Sequence, residues 1–494
     1  MWNKIILFMS CICSWVSFGQ NEVGRFEMSI RKPTGITSAV DANNNFVYFL
    51  YSNTQYHVVF FDSEKKQIGS IVIAKPKEVK SAKPMAMTLI SDNAYIYFYD
   101  EKNGYLGELS VQRASGQFHY KTLTQLPYQQ KFLKAFSQDE YFYLLSVTHG
   151  KNEIVVWKAK QGKLVQQIHA IELADLYKRL ATGNSYLNEE PNGILGIDRV
   201  RTDIENNVKS AQSVKKVYIQ NEIIYFTFDD PDYTHLVIVN TVENTNTYKK
   251  LKFSLQEEST NDKKQGNSFL CDNLLFRFTI NTHQMNISVI NIDSMIQLTS
   301  LNAYPHSEID FKNGPMVQVG SNEKDKIIAI TDQFIKKVLS ASSAIAVNKR
   351  DSIWIMEIGA FETYTVSNSP GGMGNSGFSV GMGMGMGYGG GYYGGYPGYY
   401  GGYPSYYGGY PGYYNSYSTQ IRSYYFYSML SEESLQSIPG IVPISLRERV
   451  NNFQELMFKD QVPDLVRIVN LPNDVLVGYY VGKTANFRIY QFIK

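Results

Sequence analysis

Hydrophobic and polar positions along this chain repeat as one unit: a short apolar strand, a tight polar turn, then a strand of aromatic and β-branched residues. The turns are Asp41-Ala-Asn-Asn-Asn45, Ser91-Asp-Asn93, Ser137-Gln-Asp-Glu140, Gln220-Asn-Glu222, Cys271-Asp-Asn273, Asn348-Lys-Arg-Asp351 and Asn470-Leu-Pro-Asn-Asp474. Each is rich in Asn or Asp, which tolerate turn dihedrals. The strands that follow begin at Phe46, Ala94, Tyr141, Ile223, Leu274, Ile353 and Val475. Val47-Tyr-Phe-Leu-Tyr51, Tyr95-Ile-Tyr-Phe-Tyr99 and Ile223-Ile-Tyr-Phe-Thr-Phe228 show their shared character.

A third strand follows a further loop, as at His57–Phe61, Glu153–Lys158, Leu236–Asn240 and Asn286–Ile292. Ile68–Ile73 and Lys163–Ile168 read as fourth strands. Successive second strands start 48, 47, 82, 51, 79 and 122 residues apart. The short intervals match a bare four-stranded blade of roughly 40–50 residues, and the long ones imply insertions. The last unit, Leu465–Val469, Val475–Val481 and Phe487–Ile493, lacks a fourth strand. Arg25–Ile30 reads as an orphan strand that would complete it and remove an open edge.

This organisation resembles a β-propeller: all-β, with seven four-stranded blades closed by an N-terminal strand. The resemblance is architectural, because no WD, kelch or other blade signature selects a family. An open sandwich or a two-domain β protein is the competing arrangement.

Three connections carry helical patterns. Leu173, Leu176, Tyr177 and Leu180 share one face of Glu172–Ala181, with Gly183 as a stop. Phe334, Ile335, Val338 and Leu339 form a second stripe. Ser445-Leu-Arg-Glu448 fits a capping box, and Val450, Phe453, Leu456 and Met457 continue its stripe. All three are expected to pack on the rim of the ring.

The insertion over 367–420 is different. Positions 370–417 hold 19 Gly and 13 Tyr, and no charged residue occurs from Thr363 to Ile421. Gly394-Gly-Tyr-Pro-Gly-Tyr-Tyr400 recurs twice, and a Gly/Met tract precedes it. So much glycine costs too much backbone entropy for a packed core, which predicts a disordered arm. The arm leaves a second strand and returns into a third, so it shares a face with the blade-to-blade connections. The short Asn/Asp turns fall on the other face.

Composition narrows the function classes. The chain has 494 residues, 47 Lys and Arg against 45 Asp and Glu, 44% hydrophobic residues and 14% aromatic residues. The balanced charge excludes a dedicated nucleic-acid binder. Met1–Lys4, the apolar Ile5–Phe18 and the small Ser17 and Gly19 form a secretory signal over 1–19, which predicts a mature chain of 20–494. No later segment reads as a spanning helix. Lipidation at Cys11 is the alternative, although Phe8, Met9 and Ser10 fit a lipoprotein signal badly. After cleavage Cys271 is alone, so no internal disulfide forms and a buried thiol is expected.

No nucleophile elbow, phosphate loop or paired-cysteine site is present. Asp229-Asp-Pro-Asp232 puts three carboxylates in four residues, which suits a calcium ion, but the spaced Asp-x-Asp-x-Asp-Gly pattern is missing and a plain turn is the simpler reading. His149 and His283 occupy equivalent second-to-third loops and should share that face, where they could join Asp229 and Asp230 in a metal or acid–base site. No other cofactor is implied. Tyr396, Tyr399, Tyr403, Tyr406, Tyr410 and Tyr413 are the candidate contact residues of the arm, because Tyr combines a broad ring with a polar tip.

These features point to a secreted, periplasmic or cell-surface binding scaffold that is not an enzyme. Its partner would be an envelope or extracellular protein or a glycan. An envelope hydrolase or lyase with a site at the propeller mouth is the first alternative. An adhesive or matrix component that self-associates through 370–417 is the second.

Overall fold

A computed structural model describes residues 20–30, 32–79, 81–181, 196–253, 255, 263–320, 323–368, 416–458 and 463–494. Residues 1–19, which were read as a secretory signal, Gly183 and the six arm tyrosines named above lie outside them. The described residues form seven sheets, numbered here in chain order. Sheet 1 runs Gly35–Val40, Phe46–Tyr51, Gln55–Phe61, Gln67–Ala74. Sheet 2 runs Lys83–Ile90, Asn93–Asp100, Tyr105–Gln112, Phe118–Gln125. Sheet 3 runs Gln130–Gln138, Tyr141–Thr148, Glu153–Lys160, Lys163–Ala170. Sheet 4 has Lys215–Gln220, Ile223–Asp229, Tyr233–Asn240 and Thr245–Lys252. Sheet 5 has Gln265–Cys271, Leu274–Ile280, Met285–Asn291 and Gln297–Ala303.

Sheet 6 begins with Ser342–Arg350, Ile353–Asn368 and Ser416–Ser431. Its outer strands, Met316–Gly320 and Glu323–Ile328, come from the chain that precedes it. Sheet 7 is Leu465–Asn470, Asp474–Val481 and Asn486–Ile493, completed by Gln20–Glu27. Arg25 pairs with Arg488 and Phe26 with Phe487, so the two chain ends close the ring in one sheet. The architecture is that of a β-propeller, as the sequence pattern implied.

The continuous apolar runs of the second strands follow from burial on both faces. Phe46, Tyr48 and Leu50 pack toward sheet 7, while Val47 and Phe49 pack toward sheet 2. Aromatic rings meet across the gaps: Tyr97 stacks on Phe142 at 4.2 Å, Tyr48 meets Phe487 at 4.9 Å, and Phe276 meets Trp354 at 5.6 Å. Broad rings fill the space between twisted sheets, which accounts for the aromatic content. The first-to-second turns of sheets 1–6 each place a residue in the left-handed region, Asn44, Ser91, Asp139, Asn221, Asp272 and Asp351, and that of sheet 4 adds Glu222. Asn and Asp bear that conformation at low cost, so the turn signature has a backbone cause.

Among the described residues four α-helices decorate the ring: α1 (Leu176–Ala181), α2 (Val208–Ala211), α3 (Thr331–Ser340) and α4 (Leu446–Met457). α1 is shorter than its pattern suggested. α3 buries Phe334, Ile335, Val338 and Leu339 as expected. α4 is capped by Ser445, which accepts the Glu448 amide at 3.0 Å, and it packs Leu446, Val450 and Phe453 on sheet 7. Leu456 and Met457 depart from the expected stripe and are exposed. Cys271 is buried, and burial pushes its thiol up to about 12.

Candidate functional site

First strands of neighbouring sheets touch one another: Gly35–Val40 lies against both Leu465–Asn470 and Lys83–Ile90, and Gln265–Cys271 against Ser342–Arg350. They therefore line the axis of the ring. The segment between sheets 3 and 4 enters this axis instead of staying on the rim. It leaves α1, whose Arg179 carbonyl accepts from Lys215 at 3.0 Å, and Asp198–Arg199 then runs parallel to Lys216–Val217. Arg199 reaches Ser137 and Gln138 at the far end of the sheet 3 first strand. The Asp203 carbonyl accepts from Asn470 of sheet 7 at 2.8 Å.

The backbone of Asn206 exchanges two hydrogen bonds with the Asn348 side chain of sheet 6, at 2.7 and 2.9 Å. The segment then turns back through α2, where the Val208 amide donates to Glu357 at 3.2 Å. The Asn267 side chain of sheet 5 donates to the Gln212 and Ser213 carbonyls. Asp198, Asn206, Asn207, Val208, Ala211, Gln212 and Ser213 are all buried. One connection thus runs along the axis and ties sheets 3 to 7 together. Burial pushes Glu357 up, against the pull of Arg447 and two hydrogen bonds.

The three carboxylates of the Asp229–Asp232 loop go to separate partners. Asp229 is fully buried and accepts from Arg277 at 2.7 Å, from the Ser268 amide at 2.7 Å and from Thr234 at 2.6 Å, with Lys216 at 3.7 Å. Burial holds Lys216 down to about 8, although Asp229 opposes the shift. Asp232 meets Lys264 at 3.1 Å. Asp230 sits at the surface, where Arg179 of α1 approaches to 3.0 Å and His235 Nε2 to 3.0 Å. Among the described residues no group of three or more His, Cys, Asp or Glu side chains is arranged to hold a metal ion.

His149 and His283 are not brought together by any described contact. His149 is exposed and meets the edge of Tyr177 on α1 at 4.7 Å. The His283 amide donates to the Asn281 side chain at 2.9 Å. α1 nevertheless joins two of the candidate positions, since Tyr177 contacts His149 and Arg179 contacts Asp230.

The sequence reading missed His235, Tyr248 and Arg179. His235 Nδ1 lies 2.8 Å from the Tyr248 hydroxyl, so a polar chain runs Tyr248–His235–Asp230–Arg179. Burial holds His235 below its usual range, and the Arg179 charge adds to this while Asp230 opposes it. Asp230 is drawn down despite partial burial, because Arg179 and His235 hydrogen-bond its carboxylate. The signal was the alternation of Asp230, Tyr233 and His235 into a strand end, but Arg179 arrives from a separate element.

The arm leaves from an unusual base. The second and third strands of sheet 6 stay paired over 16 residues each, from Ile353 with Ser431 to Asn368 with Ser416. The first strand covers this hairpin only up to Phe361, and the outer strand only up to Arg422. The hairpin therefore projects about 20 Å beyond its sheet, at roughly 3.3 Å per residue. Its base is locked by Arg422–Glu362 at 3.1 Å, Tyr424–Glu362 at 2.7 Å and Tyr364–Gln420 at 2.7 Å.

No family model matches the chain. No curated protein matches it either. Several solved structures are similar in fold. The WD40 domain of SCAP from fission yeast is 9% identical, with 94% of this chain and 82% of that one covered at a TM-score of 0.30. A prolyl endopeptidase is 10% identical with a TM-score of 0.30, covering 67% of this chain and 45% of its own, so the present chain spans less than half of that enzyme. An oligogalacturonate lyase in complex with manganese is 8% identical, covering 66% of this chain and 92% of its own, at a TM-score of 0.27.

Proposed function

We propose that this chain is a secreted or envelope-located binding scaffold, not an enzyme, whose propeller holds out the Gly/Tyr-rich insertion as an interaction arm. The observation that carries this reading is the projecting hairpin. Asn368 and Ser416 are cross-strand partners, so residues 369–415 begin and end at one point held clear of the sheet. A rigid platform that presents a loop is a common way to position binding residues. The tyrosines offer broad contact at low entropy cost, which suits a protein surface or a glycan in the envelope. Among the described residues no helix is long and apolar enough to cross a membrane.

The test is an envelope pull-down with two baits, mature 20–494 and the same chain with 369–415 replaced by a two-residue Asn-Gly turn. A partner captured only by the intact bait is expected. Equal capture by both would move binding to the propeller face, and no partner for either would overturn the scaffold reading.

An envelope hydrolase or lyase is the second reading, favoured by the Tyr248–His235–Asp230 chain on the face that bears α1. It requires turnover of a polysaccharide or peptide that disappears in Asp230→Asn while the melting point is kept.

A further inference from the structure

We infer that the projecting hairpin is an edge-pairing surface through which two copies of this chain associate. An open strand edge is a template for another strand, and folded proteins blunt such edges with bulges, charges or covering elements. This protein does so on every sheet. The outermost pairing of sheets 1, 2, 5, 6 and 7 carries a register shift, at Phe60/Phe61, Leu106/Gly107, Val289/Ile290, Gln318/Gly320 and Glu22/Gly24. The outer strands of sheets 3 and 4 carry lysines instead: Lys163 in the former, Lys249, Lys250 and Lys252 in the latter.

Among the described residues the hairpin has none of these devices. Its register runs unbroken to Asn368 and Ser416. Beyond Phe361 and Arg422 no described strand pairs with either edge. Thr363-Tyr-Thr-Val-Ser-Asn368 is uncharged, lacks Pro and Gly, and is rich in residues that favour strands.

A second copy is the occupant that this edge fits best. Antiparallel pairing of 363–368 with itself is self-complementary about a two-fold axis between Thr365 and Val366. Every residue then faces another member of the same uncharged segment, and Glu362 falls outside the pairing. The geometry sets the two decorated faces toward each other, about one hairpin length apart. This surface is separate from the arm, which stays available to other partners.

Analytical ultracentrifugation of mature 20–494 tests the inference. The expected result is a concentration-dependent monomer–dimer equilibrium. Thr363→Lys with Thr365→Lys should weaken it at least tenfold, with circular dichroism and melting unchanged. Replacing 369–415 by an Asn-Gly turn should leave the dimer intact, as should Ser416→Lys with Ser418→Lys on the opposite edge. In the native chain, amide exchange over 363–368 should slow as concentration rises. A chain that stays monomeric to high micromolar concentration overturns the inference. So does a dimer indifferent to the 363/365 lysines, one lost with the arm alone, or one lost only through the opposite edge.

Discussion

His57 shows how burial alone sets the behaviour of a single group. It lies on the third strand of sheet 1, is almost fully buried, and has Nε2 2.8 Å from the Ser70 hydroxyl. Desolvation holds its imidazole down to about 4. An unfolded histidine takes up its proton near 6.5, so between these values the unfolded chain binds more protons than the folded one. The stabilisation is complete above about 6.5 and is lost as the pH falls toward about 4, a difference on the order of 3 kcal/mol. His57→Gln should flatten this part of the acid limb, measured as urea stability of variant and native chains at pH 7.5 and 4.5. Equal acid losses in the two proteins would refute the assignment. The Asp229–Asp232 loop teaches the same lesson differently. Three carboxylates adjacent in sequence look like one acidic site, yet strand register sends Asp229 into the core toward Arg277 and leaves Asp230 at the surface. Nothing in their spacing carries that distinction, because it depends on which side of the strand each residue occupies.

At the scale of elements, the hairpin that carries the arm depends on a backbone approach at Gly359. A Cβ there would stand 1.8 Å from the Tyr424 carbonyl oxygen and 2.8 Å from the Tyr425 Cα, atoms that cannot rotate away. Gly359→Ala should therefore cost at least about 2 kcal/mol, since overpacking forces the backbone to shift. Gly314→Ala, which has open space around its Cβ, should be neutral by the same thermal melt. A neutral Gly359→Ala would mean that the two strands are not held at this separation. Most elements were legible because each carries a local cause: aromatic runs buried on both faces, and turns that hold an Asn, Asp or Ser in the left-handed region. Elements defined by distant partners were not. Met316–Gly320 finds its neighbour at Arg422–Tyr425, about a hundred residues on, and its companion Glu323–Ile328 is too charged to read as a strand. The axial segment is less legible still, because two residues of strand and four of helix leave no periodicity to detect. Its buried polar side chains become intelligible only once the first strands are seen to surround them.

The whole ring depends on a joint between its two ends, and that joint has a measurable signature. Gln20–Glu27 covers the edge of Asn486–Ile493, and Phe26 packs against both Phe487 at 5.1 Å and Phe61 at 6.0 Å. Met28 and Ile30 continue the same core, shared by sheets 7 and 1. A chain beginning at residue 32 loses these side chains and leaves an unpaired edge that exposes Phe487 and Ile489, so it should melt lower and aggregate on heating. A peptide of residues 20–30 added in trans should restore the melting point, because the vacated edge still offers the register that Arg25 and Arg488 define. Removing 369–415 deletes more residues but lies beyond the paired hairpin, and should leave the melting point unchanged. Opposite rankings, with the arm deletion costly and the N-terminal truncation silent, would mean that the ring is not held shut by its termini. The expected ranking follows from topology: the strand that closes the ring shares its burial with both neighbouring sheets, whereas removing 369–415 leaves the paired strands on either side of it intact.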